Sequence, residues 1–159
     1  MNWGRIATIG LALTALASGA GVWYAQQYGY YEPIDPASPD AAVPIQTAEG
    51  PSRLNMTDFQ AIDADSSPIR WRACFRIQGD LPADAVPFPA ATPLNGPFWF
   101  DCYDAARIGA DLESGAARAF LSQSEIRPDV DRVLAIYPDG RAYGWQQFND
   151  KTPERGVMD

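Results

Sequence analysis

The sequence has no histidine, one lysine and two cysteines in 159 residues. Without histidine there is no imidazole base near neutral pH, no imidazole metal ligand and no phosphohistidine relay. The single lysine, Lys151, stands near the C-terminus, which argues against a buried Schiff-base or phosphate-cradling lysine. Two cysteines without histidine are too few donors for a zinc site, and no C-x-x-C spacing marks a dithiol centre. No metal and no cofactor are therefore expected. Positive charge is also scarce. Twelve bases against 20 acids leave a net charge of −8 and a pI near 4.4, unlike an exterior built to clasp nucleic acid.

What is present is an apolar N-terminus. Ile6 to Ala25 run for 20 residues without a charge, and at about 1.5 Å of rise per residue they span about 30 Å, a hydrocarbon core. Trp23, Tyr24, Tyr28, Tyr30 and Tyr31 crowd the far end like an interfacial belt. Arg5 is the one base ahead of the run, and the residues beyond the run carry 11 bases against 20 acids, a net of −9. That asymmetry predicts a cytoplasmic N-terminus and an exported remainder. The pairs Ala15/Gly19 and Ala17/Gly21 have the small-xxx-small spacing of a helix-packing face. The competing reading is a cleaved signal peptide, because Ala15-Leu16-Ala17 matches an A-x-A site that would leave Ser18 as the mature end.

Pro33, Pro36, Pro39, Pro44 and Pro51 come next, within 19 residues, and read as an extended tether. Ile69 to Ile77 alternates apolar and polar with the period of a strand, placing Ile69, Trp71, Ala73, Phe75 and Ile77 toward a core. Asp104 looks like the N-cap of a helix running to about Ser114, with Gly115 as its stop. Arg118–Leu121 reads as a short strand. Val133–Tyr137 and Ala142–Phe148 flank Pro138-Asp139-Gly140-Arg141, a strong hairpin signal. The expected class is α+β: a transmembrane helix, then a small domain with an antiparallel sheet of about four strands and one or two helices. The boundaries drawn are 1–5 cytoplasmic, 6–25 transmembrane, 26–53 Pro-rich periplasmic linker, 54–148 periplasmic domain and 149–159 tail.

Three groups could carry chemistry. Cys74 and Cys102 lie in the part predicted to be exported, where an isolated pair forms a structural disulfide or, on the sharper reading, a redox-active one. Arg70, Arg72 and Arg76 share the strand face opposite Trp71 and Phe75, and form either a cationic stripe for an anion or acidic partner, or a solvated face paired with aspartates. Asp101 and Asp104 flank Cys102 as a carboxylate pair that a helix cap and a surface acid explain equally well. Asp63, Asp65 and Ser67 begin like a calcium-binding loop, but Pro68 replaces the required glycine and Cys74 the bidentate glutamate.

The runs Phe59-Gln60-Ala61-Ile62-Asp63-Ala64-Asp65-Ser66-Ser67-Pro68-Ile69-Arg70, Arg72-Ala73-Cys74-Phe75, Trp99-Phe100-Asp101-Cys102-Tyr103-Asp104-Ala105 and the Pro138-Asp139-Gly140 hairpin ending in Trp145 carry a further signal. Together they resemble a family of uncharacterised membrane-anchored proteins of Rhodobacter-type alphaproteobacteria, grouped only as a domain of unknown function. The likeness spans the anchor and nearly all of the domain and implies no activity. Some members carry a histidine-kinase label, which a 159-residue chain without histidine contradicts.

The leading expectation is an anchored periplasmic interaction or assembly module, an accessory subunit of a membrane complex, partnered by another membrane protein and not by nucleic acid. The alternative is a periplasmic thiol-redox or anion- and ligand-binding protein. A hydrolase using Asp101, Asp104 and an arginine is a third, more distant reading.

Overall fold

The structure, a computed structural model, describes residues 2–151. The chain divides into two units, Met1–Tyr31 and Glu32–Asp159.

The first unit is one helix, α1 (Trp3–Tyr24), continued by a π-helical turn over Ala25–Gly29. Twenty-two residues at about 1.5 Å each make about 33 Å. Trp3–Gly29 is long and apolar enough to cross a membrane, and none of its most apolar window is buried. Two of its hydroxyls are satisfied internally: Thr8 donates to the Gly4 carbonyl and Thr14 to the Gly10 carbonyl, each at 2.9 Å. This removes the penalty for a polar group in an apolar medium. Cβ atoms built on Gly19 and Gly21 would meet nothing within 4 Å, so the helix is open at both positions.

The second unit is built on a six-stranded antiparallel sheet in the order β1-β4-β5-β8-β7-β6, where about four strands were expected. Its strands are β1 (Glu32–Pro33), β4 (Met56–Asp63), β5 (Arg72–Ile77), β6 (Arg118–Arg127), β7 (Val130–Ile136) and β8 (Arg141–Phe148). A separate hairpin, β2 (Pro44–Thr47) with β3 (Gly50–Arg53), and one helix, α2 (Ala105–Ser114), complete it. The turn between β7 and β8 is the one predicted: Gly140 takes φ 83°, and its N–H donates to the Tyr137 carbonyl at 3.0 Å. The α2 caps are also as predicted. Asp104 Oδ1 accepts from the Arg107 N–H at 3.0 Å, and Gly115 is left-handed at φ 79°.

The segment expected as a tether, 26–53, requires correction. From Glu32 onward it belongs to the domain: β1 pairs with β4, and Val43 and Ile45 are buried in the hydrophobic core with Trp71, Phe75 and Leu134. The prolines do not prevent this because Pro44 opens its strand and Pro51 lies on β3, whose one partner strand is β2. Neither position demands a ladder N–H from both sides.

Both faces of the sheet are covered. On the hairpin face, Ala73 and Phe75 of β5, Ala142 and Gly144 of β8, and Leu134 and Ile136 of β7 lie side by side under β2 and β3. Residues 85–88 run between β6 and β2. Val86 donates to Gln46 and accepts from Leu121, and Phe88 donates to Ala119, so the outer edge of β6 is covered. On the helix face, α2 and the irregular stretch 88–104 overlie Arg72, Cys74, Tyr143, Trp145 and Val133. As a result all seven residues of β7 are buried.

Candidate functional site

The three arginines of the expected stripe do not share a surface. Arg76 is exposed, with its Nε 4.0 Å from Asp58. Arg70 is half-buried ahead of β5. Arg72 is buried and its guanidinium is spent on backbone: Nε donates to the Leu94 carbonyl at 2.8 Å, Nη1 to Ile69 and Trp71 at 2.9 and 2.7 Å, and Nη2 to Asn95 at 2.9 Å. The alternation along β5 does place Arg72 opposite the core. The opposite face is simply not solvated, because 88–104 lies on it. Arg72 therefore serves as a clamp for that cover and is withdrawn from any anion-binding stripe.

Two further clamps act on the same cover. Gln147 donates from Nε2 to the Ala90 carbonyl at 3.0 Å, while its Oε1 accepts from Thr92 N–H at 2.8 Å and Trp145 Nε1 at 2.9 Å. Cys74, buried on β5, stands at disulfide distance from Cys102. Asp101 is exposed, and Asp104 is taken up by the helix cap. Along α2, the Tyr137 hydroxyl donates to Asp111 at 2.6 Å and Arg107 donates to the Tyr143 hydroxyl at 3.2 Å. Burial, then the bond to Asp111, pushes the Tyr137 phenol well above its ordinary range, and burial does the same to Tyr103. Among the described residues, no group of three or more Cys, Asp and Glu side chains is placed to hold a metal ion.

The charged groups that do converge lie elsewhere, at one end of the hairpin face. Arg132 is in register with Gln146 across β7 and β8, and in phase with Leu134 and Ile136. It is only 9 % exposed, and its guanidinium lies 4.1 Å from the ring centre of Trp71. With the Gln146 amide oriented by its neighbours, the side-chain oxygen accepts from Arg132 Nη2 at 3.1 Å and the nitrogen donates to the Pro68 carbonyl. Arg132 Nε is buried without a hydrogen-bond partner. Burial lowers the Arg132 pKa to about 10, against the opposing pull of Asp63 and Asp40. A cavity of about 540 Å³ opens here, lined by Asp63, Asp65, Ser67, Arg127, Arg132 and Gln146 among others. Asp63 accepts the Ala64 N–H at 2.8 Å, and burial nonetheless raises its pKa. Among the described residues, no ion pair within 4.0 Å joins Asp63 to Arg132.

Asp63, Asp65 and Ser67 stand out in the sequence as a failed calcium loop, while Arg127, Arg132 and Gln146 do not stand out at all. The signal available for Arg132 is phase. In Val130-Asp131-Arg132-Val133-Leu134-Ala135-Ile136, an arginine occupies the same alternate set as Leu134 and Ile136.

Residues 42–155 match a family of unknown function, DUF6446. No curated protein and no solved structure matches the chain.

Proposed function

The chain belongs to the family of unknown function DUF6446, and from that premise we propose that it is a membrane-anchored interaction module. On this reading α1 spans the inner membrane once with its N-terminus in the cytoplasm. The domain from Glu32 stands in the periplasm and serves as an accessory subunit of a membrane complex. One observation carries the reading: α1 is apolar over a membrane-spanning length, and none of its most apolar window is buried. Its apolar surface calls for lipid, and the open pairs Ala15/Gly19 and Ala17/Gly21, on nearly opposite sides of the helix, each suit a second helix that packs closely. The cysteine pair at disulfide distance supports an oxidising compartment for the domain.

Native pull-down from detergent-solubilised membranes tests the proposal. A stoichiometric membrane-protein partner is expected, and its recovery should fall when Gly19 and Gly21 are both replaced by Leu. Recovery of a lone monomer under gentle extraction would overturn it. Protease accessibility of the domain from the periplasmic side is the expected topology result. N-terminal sequencing beginning at Ser18 would show instead a cleaved leader and a soluble domain. The alternative of a ligand-binding protein is favoured by one observation only, the cavity beside Arg132.

A further inference from the structure

We propose that the cavity at the Arg132 end of the hairpin face binds a small zwitterion, its anionic group on Arg132 and its ammonium on Asp63. This goes beyond the partner reading and stands on the domain alone.

The first support is the state of Arg132. A buried cation costs several kcal/mol unless it is paired and hydrogen-bonded. Arg132 is nine-tenths buried, yet its nearest restraints are an aromatic face and an amide oxygen, not a carboxylate. The contact with the Trp71 ring and the bond to Gln146 hold the guanidinium in place, while Nε remains buried and unpartnered. A side chain needed only to complete the core at this position would be apolar, as Leu134 and Ile136 are on the same face. A flat, oriented guanidinium suits a carboxylate or phosphate group.

The second support is the charge pattern of the walls. Two arginines, Arg127 and Arg132, and two aspartates, Asp63 and Asp65, line the cavity, so the lining is formally neutral. A plain anion drawn to the arginines would be opposed by the aspartates, and a plain cation by the arginines. A ligand that carries both signs a few ångströms apart meets each in turn. Asp63 is held for this role by the Ala64 N–H on Oδ1, and among the described residues no ion pair within 4.0 Å consumes it. The third support is size: about 540 Å³ lies within the usual range for small-molecule sites of roughly 300–1,000 Å³. Free amino acids and phosphoethanolamine, the headgroup of a common phospholipid, share this chemistry.

The test is calorimetric titration of the full chain in detergent with free amino acids and phosphoethanolamine. Acetate, inorganic phosphate and methylammonium serve as single-sign controls. Saturable binding of a zwitterion is expected, at least about tenfold tighter than any control, since one charge-assisted contact contributes about 1.5–3 kcal/mol. Preference for amino acids indicates a free ligand, and preference for phosphoethanolamine a headgroup; either supports the site. Arg132→Met keeps the stem volume and should weaken binding at least about tenfold. Asp63→Asn should weaken the zwitterion while leaving acetate no weaker. Arg127→Gln, on the exposed rim, tests the site without touching the core and should weaken binding by a smaller factor. The proposal is overturned if no zwitterion binds, if acetate binds as tightly as the zwitterions, or if Arg127→Gln and a folded Arg132→Met variant both bind as wild type.

Discussion

Gly144 lies mid-strand on β8, directly beneath the Trp71 ring. A Cβ there would come within 2.5 Å of Trp71 Cζ3 and 3.0 Å of Leu134 Cδ2. Since Trp71 is wholly buried and held from its other neighbours by Arg132, it has little room to yield. Gly144→Ala is expected to cost about 1–3 kcal/mol in denaturant unfolding, the range for overpacking a core. Tyr103 gives the opposite case. Its hydroxyl is buried without a partner, so Tyr103→Phe should be stabilising by about 1 kcal/mol while the ring keeps its place beside Arg72 and Tyr143. Tyr103 and Tyr137 also set an alkaline limit. Both phenols are raised in the fold, by burial first, so their contribution is complete below the unfolded value of about 10 and is lost as pH rises beyond it. Unfolding midpoints should drop above pH about 10, and less steeply in Tyr103→Phe.

Among the elements, those with local punctuation are legible in the sequence. The α2 helix carries its own start and stop in Asp104 and Gly115, and the β7–β8 hairpin carries Asp139-Gly140. The β2–β3 hairpin is hidden because its prolines outweigh an alternation that is present: Val43, Ile45 and Thr47 are buried while Ala42, Pro44 and Gln46 are less so. The residues that form a site are hidden for a different reason. Spacing along one strand gives a face, but whether that face meets water depends on what distant chain lies over it, and Arg72 is covered by carbonyls 22 and 23 residues away. Truncation tests the hairpin directly. A fragment beginning at Glu32 should unfold cooperatively, whereas one beginning at Leu54 loses Val43 and Ile45 and should show no cooperative transition by circular dichroism.

For the molecule as a whole, the apolar helix is legible from composition and length, and the α+β class from the alternation along Ile69–Ile77, the capped helix and the Asp139-Gly140 hairpin. Strand number is not: of the six strands, β1 is two residues long, and β4 is interrupted by a register shift between Thr57 and Gln60 with Asp58 at φ 55°, so neither shows a regular alternation. The tie between Cys74 and Cys102 closes a loop with a sequence separation of 28. In the chain-entropy account a loop of this size contributes about 3–4 kcal/mol. Replacing both cysteines by Ser should lower the unfolding free energy of the full chain by about that amount, measured in the same detergent. Loss of the cover alone, with the sheet signal intact, would show that the disulfide holds only the helix face.

The clamps on the 88–104 cover also have a consequence in time. Gln147 reaches back 57 residues to Ala90 and 55 to Thr92, and it sits on the last strand of the sheet. Cys74 and Cys102 precede β8 in the chain, so on the proposed topology their oxidation on the periplasmic side can precede sheet closure while the cover still lacks its Gln147 attachment. Contacts between such remote positions are formed late and slowly. The expected outcome is that a chain ending before Arg141 is cut by protease within the 88–104 cover, whereas the full chain resists cleavage there.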